Sequence, residues 1–335
     1  MTQTLSTAHA PLQTATYRAA VVVAPGKVEL QSRPKPEVGP NQVRVRLEGC
    51  GVCGSNQPVW EGRPWFNYPL EAGAPGHEGW GVVDEIGESV TTVQPGQRVA
   101  VLSYHAFAEY DVAEASNVVP LPPALDGQPF PGEALGCAMN VFRRSDIQPH
   151  HTIAVVGVGF LGAVLINLAA KTGARTIAIT RRPFALEVAR RMGASDTVEL
   201  TDDVGSVVQA VRDLTAGRGC ERVIEATGLQ GPLDVAGEIT AERGRLVIAG
   251  FHQDGPRQIN LQSWNWRGID VINAHERDPR MYSEGMALAV AAVAEGRLDP
   301  SPLYTHRFSL EQAAQALDCL RQRPADFLKA LVMCP

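Results

Sequence analysis

The chain has 335 residues, 44% hydrophobic and 20% charged, the composition of a globular protein long enough for two cores. Its formal net charge is −6 and no block of Lys or Arg stands out, so it carries no electrostatic footprint for nucleic acid or an anionic membrane. Six cysteines in a chain of this length do not make a disulfide scaffold and point to a reducing, cytoplasmic compartment.

Residues 1–16, MTQTLSTAHAPLQTAT, are polar, lack the apolar run of a signal peptide and are expected to form a disordered tail. From Tyr17 to about Leu121 come short extended runs, RAAVVV, QVRVRLE, GWGVVDEIG, QRVAVL and AFAEYDV, punctuated by turn residues. That texture reads as an all-β, barrel-like domain. From about Gly132 to Glu295 apolar strands alternate with amphipathic stretches. The predicted strands are TIAVVG (152–157), RTIAIT (175–180), TVEL (197–200), RVIEAT (222–227), RLVIAG (245–250) and IDVINA (269–274). Buried strands with helices between them argue a doubly wound parallel sheet, so the fold class is α/β with a separate β domain. The longest apolar run, around 154–170, is broken by glycines and starts as a strand, so it is not read as a membrane span. The tail from about 300 shows one helix, 309–322, between extended pieces.

VVGVGFLG places Gly157, Gly159 and Gly162 in a G-x-G-x-x-G that follows a strand and opens a helix at Phe160 and Leu161. In that context the pattern is a phosphate cradle for a dinucleotide, because the turn brings backbone N–H groups and a helix N-terminus against the pyrophosphate. The second strand ends in Thr180, Arg181 and Arg182, where a cofactor with a free ribose 2′-hydroxyl expects an acid. Two guanidiniums suit a 2′-phosphate, which favours NADP(H) over NAD(H). The alternative is that the arginines are a solvated helix start and NAD(H) is accepted through Thr180.

Metal-ligand residue types occur in three places. GCGVCGSNQ (49–57) holds Cys50 and Cys53, a spacing open to half a structural zinc site, a redox pair or two unrelated thiols. PGHEGWG supplies His77 and Glu78, and PGEALGCAMN supplies Glu133 and Cys137. Singly, His77 reads as a turn residue and Cys137 as helix core.

In this order the segments resemble the zinc-dependent medium-chain dehydrogenase/reductase superfamily of alcohol and polyol dehydrogenases. The resemblance rests on GVCGSN (51–56), GHEGWGVVDEIGESV (76–90), PGQRV (95–99), GVGFLG and IEATG (224–228), and runs from Tyr17 to Pro335. It implies a GroES-like catalytic domain, 17–130 with the returning tail 300–335, and a Rossmann domain, 131–299. It also implies one catalytic zinc held by Cys53, His77 and Glu78, with Glu133 ligating directly or through water. Alcohol dehydrogenases carry a third-ligand cysteine near Gly136; here Cys137 is one place off, so Glu78, Glu133 and Cys137 all stand as the third ligand. The family's acid after the serine is Asn56 here, and its relay histidine is Pro58. Ser55 is therefore expected to pass the proton, with His105 or Glu133 as further catalytic candidates. The family's four-cysteine lobe is absent between Val99 and Phe107, so no structural zinc is expected.

By the same resemblance the nicotinamide lies near Ala226, Thr227 and Phe251, and hydride moves between its C4 and a secondary alcohol or ketone. A polyol, sugar or cyclitol is expected, with a simple alcohol or a biosynthetic ketone next. Trp60, Trp65, Tyr104, His105 and the segments FHQDG and WNWRGIDVINAHER are expected around the substrate, with Trp264 and Trp266 open to core or interface roles. A homodimer or homotetramer is expected, pairing through the strand IDVINA. The rival readings are a zinc-free reductase of C=C or C=N bonds and a non-catalytic NADPH-binding protein.

Overall fold

The computed structural model describes residues 15–252 and 254–335. Residues 1–14, most of the expected tail, lie outside the described residues, and Thr16 already belongs to a strand.

The first half is β-rich. Strands β1 (Thr16–Ala24) and β2 (Lys27–Pro34) form an antiparallel hairpin. The larger sheet uses β3 (Gln42–Gly51), β4 (Glu78–Ile86), β5 (Arg98–Val101), β6 (Tyr110–Glu114) and β7 (Val118–Pro120). A short helix, α1 (Gln57–Trp60), follows β3. Along β3 the side chains of Val43, Val45 and Leu47 go to the core and those between them do not, the two-residue period of a sheet with one covered face.

Helix α2 (Gly132–Ser145) leads into the second half. There β8 (Thr152–Val156), β9 (Arg175–Thr180), β10 (Asp196–Glu199), β11 (Cys220–Glu225), β12 (Thr240–Ile248) and β13 (Asp270–Asn273) form a parallel sheet in the order β10-β9-β8-β11-β12-β13. Helices α3 (Phe160–Lys171), α4 (Pro183–Arg191), α5 (Val204–Leu214), α6 (Gln230–Ile239) and α7 (Leu261–Arg267) connect them. Ile153, Val155, Ile177, Ile179, Val223 and Ile224 are all fully buried, as continuous apolar strands covered by helices on both faces must be. Helix α4 begins with Pro183, where its missing N–H costs nothing, and α5 is capped by the Asp203 carboxylate accepting from the Ser206 N–H at 3.2 Å.

The chain then returns through α8 (Pro279–Ala294), β14 (His306–Ser309), α9 (Ala313–Gln322) and β15 (Ala330–Met333). Strand β15 runs antiparallel to β3, with Leu331 opposite Gly51 and Val332 opposite Cys50, so the last residues complete the first sheet. On its other side β3 pairs with β4, Gly51 opposite Glu78. Three strands distant in sequence thus meet at one corner.

Candidate metal centre and cofactor cradle

That corner carries the metal-type residues. β3 ends at Gly51, the chain turns through Cys53, and a single 3-10 turn spans Gly54–Asn56. His77 stands just before β4 and Glu78 is its first residue. The ligand atoms of Cys53, His77 and Glu78 all lie within 4.8 Å of one another, the one such grouping among the described residues. Their sulfur, imidazole and carboxylate are a donor set zinc accepts at a catalytic site.

Asn56 explains how the two loops are joined. Its side chain is buried, accepts from the Cys53 N–H at 2.9 Å and donates to the Pro75 carbonyl at 3.1 Å. The Pro75 carbonyl also lies 2.9 Å from His77 Nδ1. A carbonyl only accepts, so Nδ1 carries the hydrogen and Nε2 is left as the ligand atom. The family's acid is replaced by an amide that braces the carbonyl orienting the histidine. Ser55 Oγ sits 3.4 Å from His77 Nε2, beside the ligand position.

Glu78 has a partner that sequence reading missed. Lys329, just before β15, is buried and donates to Glu78 Oε1 at 2.6 Å. Oε2 lies 2.5 Å from the same ammonium but out of hydrogen-bond line, and it is buried with no hydrogen-bond partner. A buried carboxylate oxygen left unbonded is costly, and a cation at the Cys53–His77 side would satisfy it. The residues present therefore fit a zinc ion. The only advance signal for Lys329 was a lysine inside the apolar run FLKALVM.

Without a metal, burial disfavours the charged form of His77, but the Cys53 sulfur and the Glu133 and Glu78 carboxylates outweigh it and raise its pKa to about 10. The surrounding sulfur and carboxylates thus favour a positive charge at His77. Glu133, in the first turn of α2, stands outside the ligand grouping. Burial raises its pKa to about 7, with the His77 charge opposing and Glu78 reinforcing. Cys137, one turn along α2, has its thiol pushed up by burial and by Glu133, Cys53 and Glu78, and is not in the grouping either. Cys50 is fully buried and donates its S–H to the Gly51 carbonyl, so Cys53 is the cysteine of the C-x-x-C that joins the ligand-type grouping.

The structure does not bring His105 to the ligand grouping. Its Nε2 meets Glu71 at 2.7 Å and its Nδ1 lies 3.8 Å from Asp111. Trp60, expected near substrate, is a core residue whose indole N–H donates to Asp318 at 3.0 Å. Trp264 is buried against Gly237, whereas Trp266, Trp65 and Tyr104 are exposed.

Gly157 follows β8 with φ +101, and a Cβ there would meet Thr227 at 2.4 Å. A Cβ on Gly162 would lie 2.0 Å from the Gly157 carbonyl oxygen. Turn and helix α3 therefore pack without side chains, leaving the N–H groups around Phe160 and Leu161 for a pyrophosphate. Glu225, fully buried at the end of β11, accepts from the N–H groups of Thr227 and Gly228 at 2.6 and 2.9 Å and meets His252 Nε2 at 2.9 Å. This carboxylate, also unforeseen, fixes the Ala226–Gly228 turn against the segment holding Phe251. Thr180 is buried. Arg181 is exposed and ion-paired with Asp202 at 2.6 Å. Arg182 reaches the Phe327 carbonyl at 2.5 Å and the Pro324 carbonyl at 3.5 Å.

Comparison with known proteins agrees with this architecture. Residues 39–123 match the alcohol dehydrogenase GroES-like domain, and residues 161–291 match the zinc-binding dehydrogenase domain. Sorbitol dehydrogenase of Gallus gallus is 26% identical, over 94% of this chain and 96% of its own. An alcohol dehydrogenase of Cupriavidus necator is 26% identical, over 95% and 99%. A Sinorhizobium meliloti 1021 structure solved with NADP bound superposes with a TM-score of 0.83 at 24% identity, over 95% and 99%. Among the described residues no helix is long and apolar enough to cross a membrane.

Fold and site together define a zinc-binding, nicotinamide-dependent oxidoreductase built from a GroES-like and a Rossmann domain. The chain belongs to the zinc-dependent medium-chain dehydrogenase/reductase superfamily, with relatives among the alcohol and polyol dehydrogenases.

Proposed function

We propose that the protein oxidises a secondary alcohol of the polyol, sugar or cyclitol class, or reduces the corresponding ketone, with NADP(H) as cofactor and a single catalytic zinc. The observation that carries this is the Cys53–His77–Glu78 grouping beside Ser55. When bound there, zinc supplies Lewis acidity to a substrate oxygen. His77 is oriented by Pro75 for Nε2 ligation, and Lys329 holds the Glu78 carboxylate in place. Ser55 Oγ takes the substrate proton at the edge of the grouping as it gives up its own hydrogen toward the cofactor ribose, so it relays the proton and does not hold it. Glu133 titrates near neutrality and stands as the further proton acceptor, in the place His105 does not reach. The Glu225-braced turn positions the nicotinamide beside Thr227. The guanidiniums of Arg181 and Arg182, with no acid at the end of β9, support the 2′-phosphate reading. The open edge strand β13, with Leu261 and Trp266 exposed close by in sequence, supports a homo-oligomer. The charge and the cysteine usage support a cytoplasmic setting.

The test is a panel of polyols, cyclitols and simple alcohols with NADP⁺ and NAD⁺, followed at 340 nm, with zinc assayed on the same sample. Turnover with NADP⁺ on polyhydroxylated secondary alcohols, lost on zinc removal, is expected. Turnover that survives zinc removal would contradict the mechanism, and preference for NAD⁺ would contradict the cofactor assignment.

A further inference from the structure

One basic cluster joins Arg182, already read as a 2′-phosphate contact, to a residue of the returning tail. Arg182 caps α4 at the carboxyl end of the second strand of the parallel sheet, where the ribose 2′ position of a bound dinucleotide falls. Its Nη1 is used on the Phe327 and Pro324 carbonyls, while Nε and Nη2 have no partner among the described residues. Those carbonyls belong to the turn after α9, and that turn begins with Arg323. Arg323 has φ +46 and ψ +66, a left-handed conformation that glycine adopts without steric conflict and that a long side chain rarely occupies. Its own N–H closes the helix on the Cys319 carbonyl at 2.9 Å, which a glycine would do equally well. The side chain makes no hydrogen bond or ion pair among the described residues. Arg182 Nη1 reaches the carbonyl of Pro324, the residue that follows Arg323, so the two arginines meet at this turn; burial, and then the charge of Arg323, lower the pKa of Arg182. The acid of the same turn, Asp326, lies 3.8 Å from His306 Nε2. The nearby acid Asp202 is taken by Arg181.

We propose that Arg323, from the returning C-terminal segment, closes with Arg182 on the adenosine 2′-phosphate of the cofactor. The site is built from both halves of the chain. A phosphomonoester dianion matches two adjacent guanidiniums with N–H groups to spare. The pyrophosphate is not the occupant, because its cradle lies one strand away at Gly157–Gly162. The inference rests on the NADP(H) reading and adds a residue from the other domain to it.

The test compares adenosine 2′,5′-bisphosphate with 5′-AMP, which differ only in the 2′-phosphate, by calorimetric titration of the full-length zinc-loaded protein. The wild type is expected to bind the bisphosphate at least about tenfold more tightly. Arg323→Gly is expected to reduce that preference at least about threefold, to what Arg182 supplies without it, with 5′-AMP binding and the melting temperature maintained, because glycine suits the left-handed turn. Arg323→Asn, which also tolerates that conformation, is the second variant and should behave alike. A wild type that prefers the bisphosphate while both variants keep the preference undiminished would overturn the role of Arg323 and leave the NADP(H) reading standing. A wild type without the preference would overturn both.

Discussion

At the scale of single residues the metal centre depends on what surrounds its ligands. Asn56 both accepts and donates, and the donation to Pro75 is what a carboxylate cannot supply. Asn56→Asp, although it restores the residue usual in the family, is expected to weaken zinc binding about tenfold to a hundredfold, as loss of an outer-sphere partner does. Competition against a chromophoric chelator measures this, and an unchanged affinity would show that Asn56 does not brace His77. His77 gives the pH dependence. Its folded pKa, about 10, lies above the ordinary 6.5, so its proton stabilises the metal-free fold. That contribution is complete below about pH 6.5 and is lost as pH rises through about 10. Metal-free protein should therefore lose melting temperature between roughly pH 7 and 10, whereas zinc-loaded protein, whose ring is already deprotonated, should not show this loss. Calorimetry on chelator-treated and zinc-loaded samples checks the difference. Cys53, His77 and Glu78 were legible because short glycine-flanked motifs hold them. Lys329 and Glu225 were not, since a charged residue in an apolar run shows its partner only when distant strands meet.

At the scale of elements, the parallel strands were legible because buried strands are continuous apolar runs bounded by turn residues. β12 is the exception. It begins at Thr240, five residues before the run RLVIAG, through the polar stretch TAERG. There the ladder to β11 breaks register, with Cys220 opposite Thr240 and then Arg222 opposite Arg245. Hydrophobic period alone does not show such an irregular entry. The G-x-G-x-x-G was legible, and its packing makes a sharp prediction. Gly162→Ala places a methyl 2.0 Å from the Gly157 carbonyl, a backbone atom that must move. The turn is then displaced from the pyrophosphate, and NADPH affinity should fall about tenfold or more, while zinc content stays at the wild-type level. Fluorescence titration with NADPH reads the first and metal analysis the second; undiminished NADPH binding would show that the turn does not form the cradle.

At the scale of the whole molecule, the site exists because the chain returns. β15 adds to β3 and brings Lys329 to Glu78, and the turn after α9 meets Arg182 across the two halves. Pairings that join residue 51 to residue 331 leave no trace in local pattern, and the returning tail was legible only through the family resemblance. The composition and charge carry no sign of a nucleic-acid partner, and they say nothing of the corner where residues 51 and 78 meet residues 331 and 329. We propose that this corner holds zinc through one sulfur, one imidazole and one carboxylate. Zinc K-edge absorption of the purified protein tests it most directly. One zinc per chain is expected, with a single sulfur neighbour at about 2.3 Å and nitrogen or oxygen neighbours at about 2.0–2.2 Å. Two sulfur neighbours, which would bring in Cys137, or the absence of zinc, would contradict it.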